Sequence, residues 1–439
     1  MRYSSGIVIA FATVALSATV RAQETLHLAK LQTSALRHDP RGRQLGLLET
    51  QAARRLENLA TERLPQLSLT SEATHQSDVT SIGIVTPSGT PPQPPKDRWQ
   101  ALVNVQQLLY DGGSIAGRRA VERARLEESR EAVHAAQYRL RAEVDSYFFT
   151  AFLLQERDRE LAALDEDLGA RLEVLRARVR EGAALPGEVA ALEAERLRTR
   201  QSVAEVRAGR RGALATLAVL AGERVTELQV LALPDLANVG RAGHAADTGI
   251  VRARPEFAQF ARTRARIGSE VALADVETRP RVYAFAQMGY GRPGLDQFNR
   301  KPDEFWIAGV RMEWRFWNWG TVGRQRDVLR LQERIVAVEE DAFASALERG
   351  IQTDLEQIAR LDSSFATDER IVELREQVER QASAQLNEGA ITAADYVEAR
   401  TDLLEARLGL QRHRVELAQA RARYLTTLGL TSPGAETRP

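Results

Sequence analysis

The chain has 439 residues, with 60 basic and 60 acidic side chains and no cysteine. A formal charge of zero excludes a nucleic-acid binder resting on a basic excess, and the missing thiols exclude disulfide scaffolds, Cys-ligated zinc, iron–sulfur clusters and thiol nucleophiles. Arginine carries nearly all the positive charge, Lys30, Lys96 and Lys301 being the only lysines, with acidic residues interspersed throughout.

Residues 1–22 read as a secretory signal, with Arg2, an apolar run from Ile7 to Leu16, and Val20-Arg21-Ala22 before an expected cleavage at Gln23. That run is shorter than the roughly 20 residues a spanning helix needs. Ala213 to Ala221, the longest later apolar run, is also too short. An integral membrane location would therefore have to be built from β-strands, and without a cysteine at the junction no lipid anchor is expected.

After the signal the chain reads as two copies of one unit. With an offset of 207, Trp99 falls on Trp306, Gly113 on Gly320, Glu181-Gly182-Ala183 on Glu388-Gly389-Ala390, and Gly222 on Gly429. Upstream the offset is 215, pairing Pro65 with Pro280, and a Pro-rich loop holding Pro87, Pro91, Pro92, Pro94 and Pro95 absorbs the difference. The expected organisation is a signal over 1–22, a first repeat over 23–222, a linker over 223–250, a second repeat over 251–430 and a tail over 431–439.

Each unit predicts helix, strand, loop, strand, long helix, turn and helix. In the first, helices are expected over 41–63, 114–181 and 187–221, and strands over 66–76 and 98–109. Leu140, Val144, Tyr147, Ala151, Leu154, Leu161, Leu168, Leu172, Leu175 and Val179 follow coiled-coil steps of three and four, with one step skipped at Asp158 and one at Asp165. At 1.5 Å per residue, 114–181 makes a rod about 100 Å long. No compact domain holds one.

The strands carry a second message. Over 305–316 one face bears Trp306, Ala308, Val310, Met312, Trp314 and Phe316, and the other Phe305, Ile307, Gly309, Arg311, Glu313 and Arg315. Apolar outward and polar inward is the pattern of a membrane barrel, with Arg311, Glu313 and Arg315 toward the lumen and Trp99, Trp306, Trp314 and Phe316 near the membrane interfaces. A half-buried sheet in a soluble protein alternates too. Export and insertion between very long helices favour the barrel. Four strands cannot close one, so the chain must oligomerise.

The duplicated unit resembles the TolC-like outer-membrane efflux protein family over essentially the whole mature sequence. The resemblance is carried by the strand-to-helix junctions Leu109-Tyr110-Asp111-Gly112-Gly113 and Phe316-Trp317-Asn318-Trp319-Gly320, and by the hairpin tips around Arg178, Glu181, Gly182 and Ala183 and around Glu388, Gly389 and Ala390. It implies a mainly α fold with a small β portion: a homotrimer with a 12-stranded barrel in the outer membrane and a helical coiled-coil barrel across the periplasm. It implies docking of a periplasmic adaptor protein at the tips, an inner-membrane transporter beyond it, and a gate at Glu188, Asp395 and Glu398. The gate residues also read simply as acids complementing a helix start. Where some members latch the gate with a Tyr and an Arg, this chain has Leu386 and Ile391.

The tips have a physical logic of their own: Gly182 and Gly389 suit left-handed helix ends, Pro186 a first turn, and Thr392 with Asp395 a capping arrangement. No motor is legible, since no phosphate-binding Gly-x-x-x-x-Gly-Lys occurs. The six histidines are scattered without metal-ligand spacing, so no enzyme, metal or cofactor is expected. The resulting expectation is an outer-membrane exit duct for efflux or secretion. A periplasmic coiled-coil scaffold or adaptor is the alternative.

Overall fold

The computed structural model describes residues 25–80, 93–240 and 252–430. The expected signal, the tip of the Pro-rich loop, part of the inter-repeat linker and the tail lie outside the described residues. In chain order the elements are β1 (Thr25–His27), α1 (Leu28–His38), α2 (Gly42–Thr61), β2 (Gln66–His75), β3 (Asp97–Tyr110), α3 (Ser114–Arg180), α4 (Pro186–Ala221) and β4 (Val230–Ala232). There follow α5 (Pro255–Val276), β5 (Arg281–Arg292), β6 (Asp303–Glu313), α6 (Thr321–Glu388) and α7 (Ala393–Leu428). Displaced by 207, α3 and α4 fall on α6 and α7 to within one residue.

Two features of the sequence make the rods. Proline is absent over 96–185 and 303–432, so nothing interrupts the backbone ladder. The three-four spacing then gives each helix an apolar seam. Leu161, Leu164, Leu168, Leu172 and Leu175 of α3 bury themselves with Leu192 and Val206 of α4 and Leu404 of α7. Tyr147, which belongs to the predicted seam, is exposed, because at that level α3 turns Phe148, Phe149 and Phe152 inward instead.

Those three aromatics anchor a belt around the middle of the rods. Leu28, Leu31 and Ala35 of α1 and Leu231 of β4 pack on them. β1 and β4 pair in parallel, Leu26 opposite Leu231, so a short strand lies within the segment expected to be a linker. Gln155 of α3 holds it from the side: its Oε1 accepts from Leu231 N at 3.0 Å and its Nε2 donates to Leu231 O at 3.2 Å.

At one end of the rods, four antiparallel strands form a sheet in the order β2-β3-β5-β6. The helices beneath follow the same order, α2 on α3, α3 on α5 and α5 on α6. β6 stops at Glu313, opposite Arg281, earlier than the predicted 316. Pro280 precedes Arg281 and lacks a ladder donor, so the ladder goes no further. Trp314, Arg315 and Phe316 consequently lie beyond the strand, which corrects their expected place on its two faces.

Candidate functional site

The wall of the sheet comes first. Paired residues share a face, so register sorts the side chains. One face carries the rows Leu67, Val105, Ala286, Ala308 and Leu69, Val103, Met288, Trp306. The other carries Ser68, Asn104, Gln287, Ile307 and Thr70, Leu102, Gly289, Phe305. Its polar groups are joined across strands, Gln287 Nε2 donating to Asn104 Oδ1 at 2.9 Å and Asn104 Nδ2 to Thr70 Oγ1 at 3.2 Å. Gly289 has no room for a side chain, since a Cβ would stand 2.6 Å from the Phe305 ring. Arg311 projects from this polar face with its guanidinium 4.9 Å from the Phe285 ring centroid, and Glu313 pairs with Arg281 at the end of the ladder.

Trp99 and Trp306 sit toward the loop end of the sheet, and Trp99 meets Tyr290 edge-on at 5.5 Å. Trp314 lies toward the helix end, with its indole N–H donating to Thr278 O at 3.1 Å. The eight residue steps from Trp306 to Trp314 span about 26 Å along the chain, comparable to the apolar band of a membrane barrel.

The hairpin tips lie at the far end of the rods. Both long helices close in the same way: Gly182 and Gly389 adopt φ of 73° and 75°, with Ala183 N donating to Arg178 O and Ala390 N to Gln385 O at 2.8 Å. These are Schellman ends, and glycine is needed because the left-handed region excludes a Cβ at low cost. Glu181, Gly182, Ala183, Glu388, Gly389 and Ala390 are exposed. Arg178 is engaged differently. Its guanidinium reaches the other hairpin, donating to Leu386 O at 3.0 Å and to Asn387 O, and so caps the last carbonyls of α6. A cavity of about 150 Å³ beside it is lined by Val174, Leu175, Leu192 and Leu386.

The three acids behave unequally. Asp395 and Thr392 form a reciprocal cap, Thr392 N donating to Asp395 Oδ2 at 2.9 Å and Asp395 N to Thr392 Oγ1 at 3.3 Å. The Thr392 hydroxyl and amide hold the Asp395 carboxyl below its ordinary range, so it stays ionised. Glu398 is exposed one turn on, and Glu188 is half-buried in the first turn of α4. Asp395 thus has a capping role whatever else it does.

Sequence reasoning missed a buried network one turn above the tips. Tyr396 is fully buried, and its hydroxyl donates to Asp167 Oδ2 at 2.7 Å, with Glu379 Oε1 at 3.2 Å. Arg171 lies over its ring at 3.9 Å, donates to Asp167 Oδ1 at 3.1 Å and to Ser383 Oγ at 2.9 Å, while Arg400 stands 3.5 Å from Asp167. Burial, then the Asp167 hydrogen bond, raise the phenol's pKa, so it remains a donor. Three helices meet here: α3 supplies Asp167 and Arg171, α6 Glu379 and Ser383, α7 Tyr396 and Arg400. The available signal was a tyrosine on the buried face of a helix, whose hydroxyl requires a partner. Leu386 and Ile391, at the positions where some family members carry a latch, pack as apolar neighbours against the cluster of Ala382, Tyr396 and Ala399.

The architecture is thus a two-faced antiparallel sheet standing on long paired helices. Residues 43–223 match the family model for outer membrane efflux protein. Among solved structures, the chain is similar to CusC at 14% identity, covering 92% of both chains with a TM-score of 0.70. It is similar to the CmeC channel of Campylobacter jejuni at 15% identity, covering 99% of this chain and 96% of that one with a TM-score of 0.65. It is also similar to the open state of the MtrE channel of Neisseria gonorrhoeae at 16%, covering 93% and 91% with a TM-score of 0.64. A comparison with curated proteins gave no match. The family match thus covers residues 43–223, and the chain as a whole has the TolC-like fold.

Proposed function

We propose that three copies of this chain form a passive exit duct in the outer membrane, joined at the hairpin tips to a periplasmic adaptor protein and through it to an energised inner-membrane transporter. The observation that carries this reading is the sheet order β2-β3-β5-β6, which leaves β2 and β6 as free edges over a row of helices in matching order. An open edge in lipid is not tolerated. Head-to-tail addition of copies pairs each β6 with the next β2, and three copies make twelve strands. The face of Leu67, Leu69, Trp306 and Val310 then meets lipid, and that of Ser68, Asn104, Gln287 and Arg311 lines the lumen. An exposed stripe of Val328, Leu331, Ile335 and Val338 on α6 also fits contact with a neighbour.

Around the threefold axis, Asp395, Glu398 and Glu188 become rings of carboxylates at the narrow end, favouring cations. Glu181, Gly182, Ala183, Glu388, Gly389 and Ala390 offer the adaptor's landing surface, and Arg178 keeps the two tips in step. Opening is a movement of tip helices against the Tyr396 network, driven by adaptor contacts.

Single-channel recording in planar bilayers tests this. The wild type should give cation-preferring steps, and Asp395→Asn with Glu398→Gln should reduce that preference. Unchanged preference would remove the gate assignment and leave the duct. Extraction from outer membranes by carbonate alone would sink the duct and favour a periplasmic scaffold.

A further inference from the structure

We infer that the aromatic cluster at the second strand-to-helix junction is the seat for a neighbouring copy of this chain, which lays the end of its α2, at Leu64 and Pro65, over Trp319. The inference rests on the trimeric reading above and names a contact within it.

The observation is a backbone outlier. Among the described residues, Trp319 is the one non-glycine with a positive φ, 54°. That conformation presses a Cβ against the following carbonyl, and a bulky aromatic occupies it only where the surroundings hold it there. Trp319 is nevertheless 79% exposed, and Phe316 and Trp317 beside it are exposed as well. Trp317 meets Trp319 edge-on at 5.7 Å, and Trp314 meets Phe316 at 6.0 Å. Among the described residues, the strained tryptophan is thus left largely in the open.

The internal repeat shows what belongs there. At the first junction Gly112 and Gly113 adopt φ of 67° and 96°, and Asp111 Oδ1 accepts from Gly113 N at 3.0 Å. At the second, Trp319 and Gly320 adopt 54° and 72°, and Asn318 Oδ1 accepts from Gly320 N at 3.1 Å. The backbones are equivalent but their surroundings are not. Over Gly112 lies the end of α5: a Cβ there would stand 2.7 Å from the Arg279 Cβ and 3.3 Å from Pro280 O, and Arg279 Nη1 donates to Gly112 O at 3.1 Å. Trp319, by contrast, is left 79% exposed with Trp317 edge-on beside it, and its carbonyl is held by Arg324 of its own helix at 3.1 Å.

The helix order decides the occupant. α3 is covered by α5, the first helix of the following repeat, and the helix that would follow α6 in the same way is the α2 of another copy. With the offset of 215, Arg279-Pro280 becomes Leu64-Pro65. Leu64 is 57% exposed and lies where the row of helices ends. The chemistry is matched on both sides of the swap. An arginine over a glycine carbonyl within the chain becomes a leucine over a tryptophan between chains, with Arg324 having taken over the carbonyl. Two side chains now fill a gap that held one, so the copies stand slightly further apart there than α3 and α5 do.

The absence of native cysteine makes the contact directly testable. Equivalent positions separated by roughly 3.5–4.5 Å between Cβ atoms can be bridged by a disulfide. A Leu64→Cys, Trp319→Cys double variant, oxidised in the membrane and run without reductant, should give covalent dimers and trimers, and each single variant only monomers. In a second variant, Trp319→Gly, the backbone strain is relieved and the contact removed, so the trimer should dissociate at a lower temperature on heated gels. A double variant that stays monomeric while the native mass is that of a trimer, or a Trp319→Gly trimer that is unchanged or more heat-stable, would overturn the contact and leave the duct. Loss of wild-type fluorescence quenching by brominated lipids on Trp319→Phe substitution would instead assign the indole to the membrane interface. A monomeric native mass would overturn both readings.

Discussion

The two helical hairpins are copies of one sequence pattern, yet the first is buried and the second is half open. Leu164 of α3 is 2% exposed, and Ile371, 207 residues on, is 43% exposed. Asp145 is buried and Gln352 exposed; Phe148 is fully buried and Leu355 only partly. At the level of the network, Asp167 and Arg171 answer to Leu374 and Val378, both exposed. The difference follows from position. α3 is flanked on both sides within its own chain, by α4 and α7 at the tip end and by α2 and α5 near the sheet, whereas α6 keeps one free flank. A polar, hydrogen-bonded lock joins hairpins inside the chain, and an apolar stripe waits outside it. That division is physically apt, since a buried polar network specifies a unique geometry while an apolar surface supplies association.

The largest expected effect breaks the comparison at its core. Leu164→Ala should cost about 2–5 kcal/mol of stability, because it opens a cavity in a packed seam. Ile371→Ala should stay within about 0.5 kcal/mol in the isolated monomer, as exposed substitutions do. Urea unfolding of the monomer in detergent measures both. Equal losses would show that the second hairpin is closed within the chain.

Asp145 provides a pH test of the same asymmetry. Burial pushes its carboxyl up to about 6, with the Gln32 hydrogen bond, Arg141 and Thr426 opposing. Its pKa in the unfolded chain is near 3.9, so the folded state binds the proton more tightly. Its contribution is therefore fully present below about pH 4 and is lost as pH rises to about 6, a change of order 3 kcal/mol. Asp145→Asn should leave stability unchanged near pH 4 and raise it progressively up to pH 6.5, with a plateau beyond. Gln352→Asn should show no such trend. A flat difference between wild type and Asp145→Asn across pH would show that the carboxylate is already compensated.

Tyr396→Phe probes the lock between hairpins. Removing the hydroxyl leaves Asp167 and Glu379 facing one another with only arginines to answer them, a loss of about 1–3 kcal/mol. Under the duct reading it should also raise open probability in bilayers, whereas Tyr424→Phe, in a buried cluster far from the tips, should not. Unaltered gating would confine the network to a structural role.

Much of the fold was legible because its determinants are periodic and local. The coiled-coil steps, the alternation of Trp306, Ala308 and Val310, and the glycines at 182 and 389 each announce an element within a short window. What escaped depends on pairings across long separations. β1 and β4 are three residues each and find one another across more than 200 positions, and neither has a pattern of its own. Asp167 and Tyr396 lie 229 residues apart, and no local motif joins them; the local pattern shows only that Leu386 and Ile391 stand where some family members carry a latch. The end of β6 escaped because it is set by Pro280, just ahead of another strand. Trp314 and Phe316 continue the alternation past the point where any partner remains.

The smallest effect sharpens the comparison at the tips. The second tip begins α7 with Thr392 and Asp395 in a reciprocal cap, and the first begins α4 at Leu185, an exposed leucine with no side-chain cap. Glu188 already occupies the position that Asp395 holds in the second copy, so only the hydroxyl is missing. Leu185→Thr should complete the arrangement and stabilise the start of α4 by about 0.5–2 kcal/mol, read as slower amide exchange over 187–190. Thr392→Ala should cost the second tip a comparable amount. If Leu185→Thr slows exchange and also weakens adaptor binding, the exposed leucine is kept at the tip for the partner's sake. If exchange slows and binding is unchanged, the two tips differ only in how their helices start.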